Sequence, residues 1–401
     1  MKLFYTIGVR GYAFLVRIAS LWNPKAKKWM EGRKAVWSSL ANWKRKSSPV
    51  YWFHCASLGE FEQGRPLIER LKSEEDCQIV ITFFSPSGYE IRKNYDLADL
   101  ILYLPRETRG NVKRFLDIVQ PTKAFFIKYE FWATYLFEAR KRGVKVYSVS
   151  AVFRPDQIFF KWYGGFMKKI LLAFDEIFVQ DQKSLDLLTD NNIEAHLAGD
   201  TRYDRVMGNA MKVAPYPEIE AFIDGSKVLV VGSSWAADEQ VIKKCLNHVD
   251  FDWKVIIAPH EIGENRIKAI ESALKKKKIR YSNFNRVEDK EADVLIIDNI
   301  GMLMNVYQYA DLAYVGGAFS KGLHNILEPA CFGAPVIFGD RFEKFTEAFD
   351  FIAYDIGYSV ESSKQFLAVF NSLKNVDHKE RVLQFMNDRV GATDLIMRVV
   401  K

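Results

Sequence analysis

Nowhere in its 401 residues does the chain hold about 18 consecutive uncharged apolar residues, so a membrane-spanning helix is not expected. Cysteine is scarce: Cys55, Cys77, Cys245 and Cys331 stand far apart, with neither metal-ligand spacing nor the short secreted frame of a disulfide scaffold. That usage points to a reduced, cytosolic compartment. The six histidines are equally scattered, which excludes a zinc site of familiar spacing. Neither sign of charge dominates, since 57 Lys and Arg oppose 50 Asp and Glu for a formal +7. Such a balance suits an anionic surface or substrate, and no nucleic-acid partner is expected. Walker and G-x-G-x-x-G patterns are both missing, so a P-loop NTPase and a standard dinucleotide oxidoreductase lose ground. No internal repeat, low-complexity tract or clear signal-peptide cleavage site occurs.

What is present describes a soluble globular chain, 49% hydrophobic and 14% aromatic, long enough for two domains. At its start Leu3, Phe4, Ile7, Phe14, Leu15 and Ile18 recur at helical spacing, interrupted by Lys2, Arg10 and Arg17. Trp22, Trp29, Trp37 and Trp43 then alternate with Lys25, Lys27, Lys28, Arg33, Lys34, Lys44, Arg45 and Lys46. An amphipathic helix followed by indoles and cations suits a headgroup layer. The same pattern also describes a helix packed on its own domain with a solvated basic face.

From residue 51 onward, short β-branched and aromatic runs alternate with amphipathic segments. Strands are expected at 51–56, 78–84, 100–104, 124–129, 144–151, 176–180, 196–198, 227–232, 254–258, 294–298, 312–316 and 335–338. Runs without surface alternation, separated by helices, predict an α/β chain of two doubly wound parallel sheets with a cleft between the domains. The turn-rich stretch from Ala214-Pro215-Tyr216-Pro217 to Asp224-Gly225-Ser226 places a linker at 206–226. The expected division is a basic membrane-contact segment 1–48, an N-terminal domain 49–205, and a C-terminal domain 227–401 whose last helix packs back on the first. Lys275 to Lys278 reads as a solvated helix end.

Ligands of such sheets collect at the carboxyl ends of strands, where loops enter helices. His54-Cys55-Ala56-Ser57-Leu58-Gly59-Glu60 closes the first strand and precedes a helix expected near Gln63. Glu60 there either complements the helix dipole as an ionised carboxylate or serves as a general base. Glu130, after Lys128-Tyr129, shares that rim and either caps or orients a hydroxyl substrate. Arg154 and Arg202 follow strands and pair either with an anion or with a neighbouring carboxylate. In the second half Gly232-Ser233-Ser234-Trp235, Pro259-His260 and Gly316-Gly317 each close a strand with small or turn-forming residues that let backbone amides approach a phosphate. The segment Gly322 to Ala330 then carries Asn325 and Glu328, the latter suited to a ribose diol. Asp250-Phe251-Asp252 has the form of a metal-binding pair but precedes its strand, the wrong end for a ligand.

In this order, Ser57-Leu58-Gly59-Glu60 with Arg65-Pro66-Leu67, and Val315-Gly316-Gly317 with His324-Asn325-Ile326-Leu327-Glu328-Pro329, resemble the 3-deoxy-D-manno-octulosonic acid (Kdo) transferases of lipopolysaccharide synthesis. Glu130-Phe131-Trp132, Gly199-Asp200-Thr201-Arg202-Tyr203-Asp204, Gly232-Ser233-Ser234 and Pro259-His260 support the likeness over residues 50–345. The resemblance implies a GT-B glycosyltransferase of two Rossmann-like domains. It would move Kdo from CMP-Kdo, with inversion and without a metal or other cofactor, onto a lipid A precursor (lipid IVA) at the cytoplasmic face of the inner membrane. It implies Glu60 as catalytic base, with Ser57, Gly59, Glu130 and Arg154 on the acceptor side. Arg202, Ser233, Ser234, Pro259, His260, Gly301, Gly316, Gly317, Asn325 and Glu328 would lie on the donor side. Two departures stand out: Ile300-Gly301-Met302-Leu303 where the family has Met-Gly-Glu-Leu, and Lys128 where an acidic residue is common. The competing readings are another GT-B enzyme, such as a UDP-sugar transferase or epimerase, and a non-catalytic two-domain nucleotide- or sugar-binding protein.

Overall fold

The computed structural model describes the chain except Met1, Val249, Asp250, Lys290 and Lys321, and for Lys2 and Leu3 the backbone alone. Asp250 of the Asp-x-Asp pair therefore lies outside the described residues. The chain divides into two compact units, Met1–Arg205 with Arg389–Lys401, and Val206–Asp388.

The first unit holds β1 (Val50–Cys55), β2 (Gln78–Phe83), β3 (Leu100–Tyr103), β4 (Lys123–Ile127), β5 (Lys145–Ala151), β6 (Glu176–Val179) and β7 (His196–Leu197). They form one parallel sheet in the order β3-β2-β1-β4-β5-β6-β7. All six residues of β1 are buried, as a strand covered by helices on both faces requires. Packed against the opposite faces are Trp52, Phe115, Phe126 and Tyr135 on one side and Phe53, Phe61, Leu67 and Ile127 on the other. The last helix, Ala392–Val400, joins the second of these layers through Ile396, Met397 and Val400. Its start is pinned by Asp204, which accepts from Gly391 N–H at 2.6 Å and from Thr393 N–H and Oγ1 at 2.7 Å each.

The second unit holds β8 (Val228–Ser234), β9 (Lys254–Pro259), β10 (Lys278–Arg280), β11 (Val294–Ile296), β12 (Leu312–Val315), β13 (Val336–Gly339) and β14 (Gly357–Val360), again parallel, in the order β10-β11-β9-β8-β12-β13-β14. Two of these strands, β10 and β14, lie outside the expected set. The first is three residues of Lys-Ile-Arg, and Gly-Tyr-Ser-Val of the second has no apolar run. The Lys275–Lys278 run is accordingly no helix end. The helix Glu264–Ala273 stops before it, Lys276 and Lys278 donate to the carbonyls of Phe251 and Leu274 at 2.8 Å each, and Lys278 opens β10. Between the sheets, residues 206–226 contain the end of the helix Thr201–Ala210 and the helix Pro217–Ile223, whose Ile219 and Phe222 are fully buried.

The N-terminal segment divides its expected features. Its first helix, Lys2–Ala19, leaves Phe4, Ile7, Phe14 and Leu15 exposed, and Leu21 and Trp22 follow at 80% and 70% exposure. Of the remaining indoles of the tract, Trp29 is a core residue and Trp37 and Trp43 are half-buried. Trp29 is buried beneath the Arg33 guanidinium at 3.6 Å, and Trp37 and Trp43 pack against the main cluster. Arg33 itself is half-buried, donating to the carbonyls of Trp29, Phe84 and Leu104 at 3.0–3.1 Å. Large rings bury more area against the sheet than at a surface, and Arg33 is satisfied by carbonyls, so neither is left for a headgroup.

Candidate active site

Each sheet has a switch point at its centre, between β1 and β4 in the first and between β8 and β12 in the second. Such switch points open a crevice at the strands' carboxyl ends. The residues singled out in the sequence fall chiefly on the loops there.

In the first unit the helix Leu58–Glu74 starts directly after Ser57, five residues earlier than expected, which makes Glu60 its third residue. The Glu60 carboxylate turns back over the helix start, where Oε2 accepts from Ala56 N–H and, at 3.1 Å, from Ser57 N–H. This is the capping geometry that complements exposed amides at a helix start. Capping does not keep Glu60 ionised, however. Burial first, and the charge of Glu130 second, push its carboxyl up to about 8 against the opposing pull of the two amides and Lys128. The cap fixes the carboxylate's place, and burial beside a second carboxylate gives it the basicity of a proton acceptor.

Glu130 is held from behind. His54, fully buried on β1, approaches Glu130 Oε2 with Nε2 at 2.9 Å, and Trp132 donates its indole N–H to the same oxygen at 2.6 Å. Lys128 makes the turn from β4 to this loop with a left-handed φ of +66°, a conformation that costs a non-glycine residue energy and recurs where loops are functionally constrained. Ser57, Gly59 and Glu60 thus lie at the start of that helix and Glu130 on the loop after β4. Arg154 is exposed after β5 and its charge reaches Tyr129.

Beside Glu130 runs a groove of about 840 Å³ between the first helix and the helices Arg109–Val119 and Ala133–Lys141. Arg10, Arg109, Lys113 and Lys141 line it above an apolar floor that includes Val9, Phe137 and Phe166. The groove's buried acid, Glu107, is occupied by Tyr5 Oη at 2.7 Å and Thr134 N–H at 2.6 Å.

Arg202 belongs to this first unit, apart from the other residues expected on the donor side. Its Nε and Nη2 donate to Asp200 Oδ2 at 2.8 and 2.6 Å, the neighbouring-carboxylate reading of that arginine. Its charge keeps the buried Asp200 carboxyl below the usual range despite burial.

In the second unit β8 ends in Ser233, at φ +51°, and Ser234. Ser234 is fully buried and donates to Glu239 at 2.9 Å, so its hydroxyl braces the following helix and is not presented to a ligand. Asp238, also fully buried, accepts from Trp235 N–H at 2.8 Å, Gly317 N–H at 3.0 Å and Tyr314 Oη at 2.9 Å, tying the β8 and β12 loops together. Glycine is obligatory in that turn. A Cβ on Gly316 would stand 2.5 Å from the Ser233 carbonyl oxygen, and one on Gly317 (φ +100°) 2.3 Å from that of Gly322. Over these loops three rings stack. His260, which follows Pro259, lies 4.4 Å from Trp235 and 4.7 Å from His324, centroid to centroid, with interplanar angles of 27° and 28°. Asn325 Oδ1 accepts from Leu327 N–H at 3.2 Å while its amide donates to Glu328 at 3.1 Å. Gly301 sits exposed at φ +98° beside the exposed Ile300.

Thr82 and Asp238 were not singled out in the sequence, and His54, Trp132, Trp235 and His324 were named in its motifs without a role. A histidine inside the otherwise apolar run Val50–Cys55 and an aspartate three residues after Trp235 were the signals available. Among the described residues, no three His, Cys, Asp or Glu side chains are grouped to hold a metal ion, and no helix is long and apolar enough to cross a membrane.

Residues 27–205 match the family described as 3-deoxy-D-manno-octulosonic-acid transferase (kdotransferase). The chain is 26% identical over 341 residues to a 3-deoxy-D-manno-octulosonic acid transferase from Aquifex aeolicus (strain VF5), covering 82% of this chain and 88% of that one. It is 24% identical over 371 residues to the same-named protein of Rickettsia felis, covering 88% and 78%. Among solved structures it shares the fold of UDP-GlcNAc 2-epimerase from Neisseria meningitidis bound to UDP-GlcNAc, with TM-score 0.60, 15% identity, and 88% and 99% of the two chains covered. MurG of Acinetobacter baumannii has the same fold, with TM-score 0.54, 11% identity, and 88% and 99% covered.

Proposed function

We propose that this chain acts as a Kdo transferase, a glycosyltransferase that moves Kdo from CMP-Kdo, with inversion, to a hydroxyl of a lipid A precursor; the family match over residues 27–205 and the curated Kdo transferases it resembles support the reading. The observation that carries the reading is Glu60, a carboxylate capped into a fixed position and made basic by burial beside Glu130. It takes the proton of the acceptor hydroxyl as that oxygen attacks the anomeric carbon, and the bond to the CMP phosphate breaks. The β8 and β12 loops of the second unit suit the donor. The stacked rings of Trp235, His260 and His324 offer a flat surface beside them, and Glu328 meets the ribose diol. Held this way, CMP leaves as a stable anion, and the reaction as drawn needs no metal.

The acceptor side draws support from the groove beside Glu130. Four cations over an apolar floor fit the anionic head and first methylenes of an acylated sugar. The exposed Phe4, Ile7, Phe14, Leu15, Leu21 and Trp22 extend that apolar character outward and would rest on the cytoplasmic leaflet of the inner membrane, making the protein peripheral. The deciding experiment incubates the full chain with CMP-Kdo and a tetraacylated lipid A precursor and reads the lipids by mass spectrometry. A product heavier by whole Kdo residues is expected. An unaltered acceptor, or full transfer by Glu60→Gln, overturns the reading.

A further inference from the structure

Behind the two carboxylates lies a buried chain of hydrogen bonds. Trp52 Nε1 donates to Thr82 Oγ1 at 2.8 Å, Thr82 Oγ1 lies 2.8 Å from His54 Nδ1, and His54 Nε2 lies 2.9 Å from Glu130 Oε2. Trp52 and His54 are fully buried on β1 and Thr82 on β2, so none of the three is open to a substrate. The donors settle which ring nitrogen carries the proton. A neutral ring protonated at Nδ1, facing the Thr82 carbonyl at 3.1 Å, would turn the Nε2 lone pair toward a carboxylate oxygen. With the proton on Nε2 every group is matched: Thr82 accepts from Trp52 and donates to Nδ1, and Nε2–H donates to Glu130. Trp132 supplies a second donor to the same Oε2 at 2.6 Å, and Oε1 has no hydrogen bond within the protein among the described residues.

We propose that His54 is a positioning residue for the transfer: it anchors one oxygen of Glu130 so that the carboxylate keeps its other oxygen available beside Glu60. The inference rests on Glu60 being the base. Facing Glu60 are Glu130 and Lys128 from the β4 loop, Tyr129, and the buried Cys55 thiol of β1. On its own helix Glu62 is engaged by Arg92 and Arg205. Tyr5 of the first helix faces Glu130 from the other side. None of these groups replaces the donor that His54 provides. Without it Oε2 keeps only the Trp132 indole, the carboxylate is free to turn away from Glu60, and its charge opposes ionisation of Glu60 less.

The test compares His54→Asn with His54→Gln in the full chain, measuring Kdo transfer from CMP-Kdo across pH. The glutamine amide stands where Nε2 stood and reaches Glu130, whereas the shorter asparagine amide reaches only Thr82. Expected for His54→Asn is a kcat lower by about 10- to 100-fold, the worth of one hydrogen bond to a charged group. KM for both substrates should stay close to wild type, and the acid limb of the rate profile should move to lower pH. His54→Gln should recover most of both. Wild-type rate and profile in His54→Asn, or equal losses in the two variants, overturn the proposal. Should His54→Asn fail to fold, Trp132→Phe decides: a smaller loss with the same direction of pH displacement supports the anchoring of Oε2, and an unchanged profile overturns it. A wild-type chain that transfers no Kdo overturns the reading of Glu60 and this role with it, whereas transfer by wild type and His54→Asn alike removes the role of His54 alone.

Discussion

The two switch points of this molecule occupy equivalent places in two similar sheets and are built from different materials. After β1 and β4 stand groups that titrate, Glu60, Glu130 and Lys128, braced by a buried histidine. After β8 and β12 stand glycines, a stack of rings and one buried aspartate that donates no chemistry and ties the loops together. In the function proposed for it, one fold thus supplies a place to move a proton and a place to hold a charged, flat ligand. The fold fixes where ligands bind, and the loop residues decide what happens there.

Removing the proton acceptor tests this contrast hardest. Glu60→Gln should lower kcat by about 10²–10⁴-fold, the usual worth of a positioned base, while binding of CMP-Kdo followed by calorimetry stays near wild type. Glutamine keeps the acceptor oxygen that caps Ala56 and Ser57, so the helix start should survive. Stability should even rise. Because the folded-state pKa of Glu60 is raised from its ordinary value to about 8, the folded chain binds more protons than the unfolded one across that window. Wild-type stability therefore falls as pH rises through it, a cost that glutamine removes. A melting temperature above wild type at pH 8, equal to it at pH 4, is the expected signature. Loss of donor binding in this variant would break the division between the two loops.

The second unit answers to shape instead of charge. Gly316→Ala forces a methyl to within 2.5 Å of a backbone oxygen and 2.7 Å of the Ser234 Cα. It should destabilise the protein by about 1–3 kcal/mol, read by denaturant unfolding, and weaken CMP-Kdo binding. Gly59, beside Glu60, has nothing within 4 Å of where its Cβ would stand and sits inside a helix, so Gly59→Ala should leave stability unchanged or raise it by about 0.5–1 kcal/mol. Equal damage from the two alanines would show that both glycines serve packing.

How much of this was legible in the sequence follows from the range over which each signal acts. Buried parallel strands announce themselves locally as unbroken apolar runs, so Val50–Cys55 and Leu312–Val315 are read directly. Lys278–Arg280 and Gly357–Val360 pair through their backbones and carry no such run. Candidate loops were legible for the same reason, since strand ends locate them. What a side chain does within a loop depends on neighbours distant in the chain. Glu60 is a cap by its own neighbours, and its raised pKa needs Glu130, 70 residues away; Arg202 follows a strand, and its bond to Asp200 shows only in the folded loop. The indoles after residue 22 mislead similarly, because Trp29 and Arg33 owe their burial to Phe84 and Leu104 on other elements.

The finest distinction lies between the two neighbours that pull on Glu60 in opposite directions. The Glu130 charge raises its pKa and the Lys128 charge lowers it, and of the causes that act on Glu60 the first ranks just behind burial and the second is the weakest. The acid limb of kcat/KM, expected near about 8 in the wild type, should therefore move down in Glu130→Gln and up in Lys128→Met, the second displacement being smaller. Methionine keeps the length of the lysine side chain and its left-handed backbone, in which the residue-128 N–H still donates to the Val149 carbonyl at 2.8 Å, so the loop should hold its place. In Glu130→Gln the rate falls as well, since Glu130 is itself part of the rim. In Lys128→Met only the limb should move. A Lys128→Met profile that moves down, or a large fall in kcat on its plateau, would mean that this cation meets a substrate anion and is more than a counter-charge to the base.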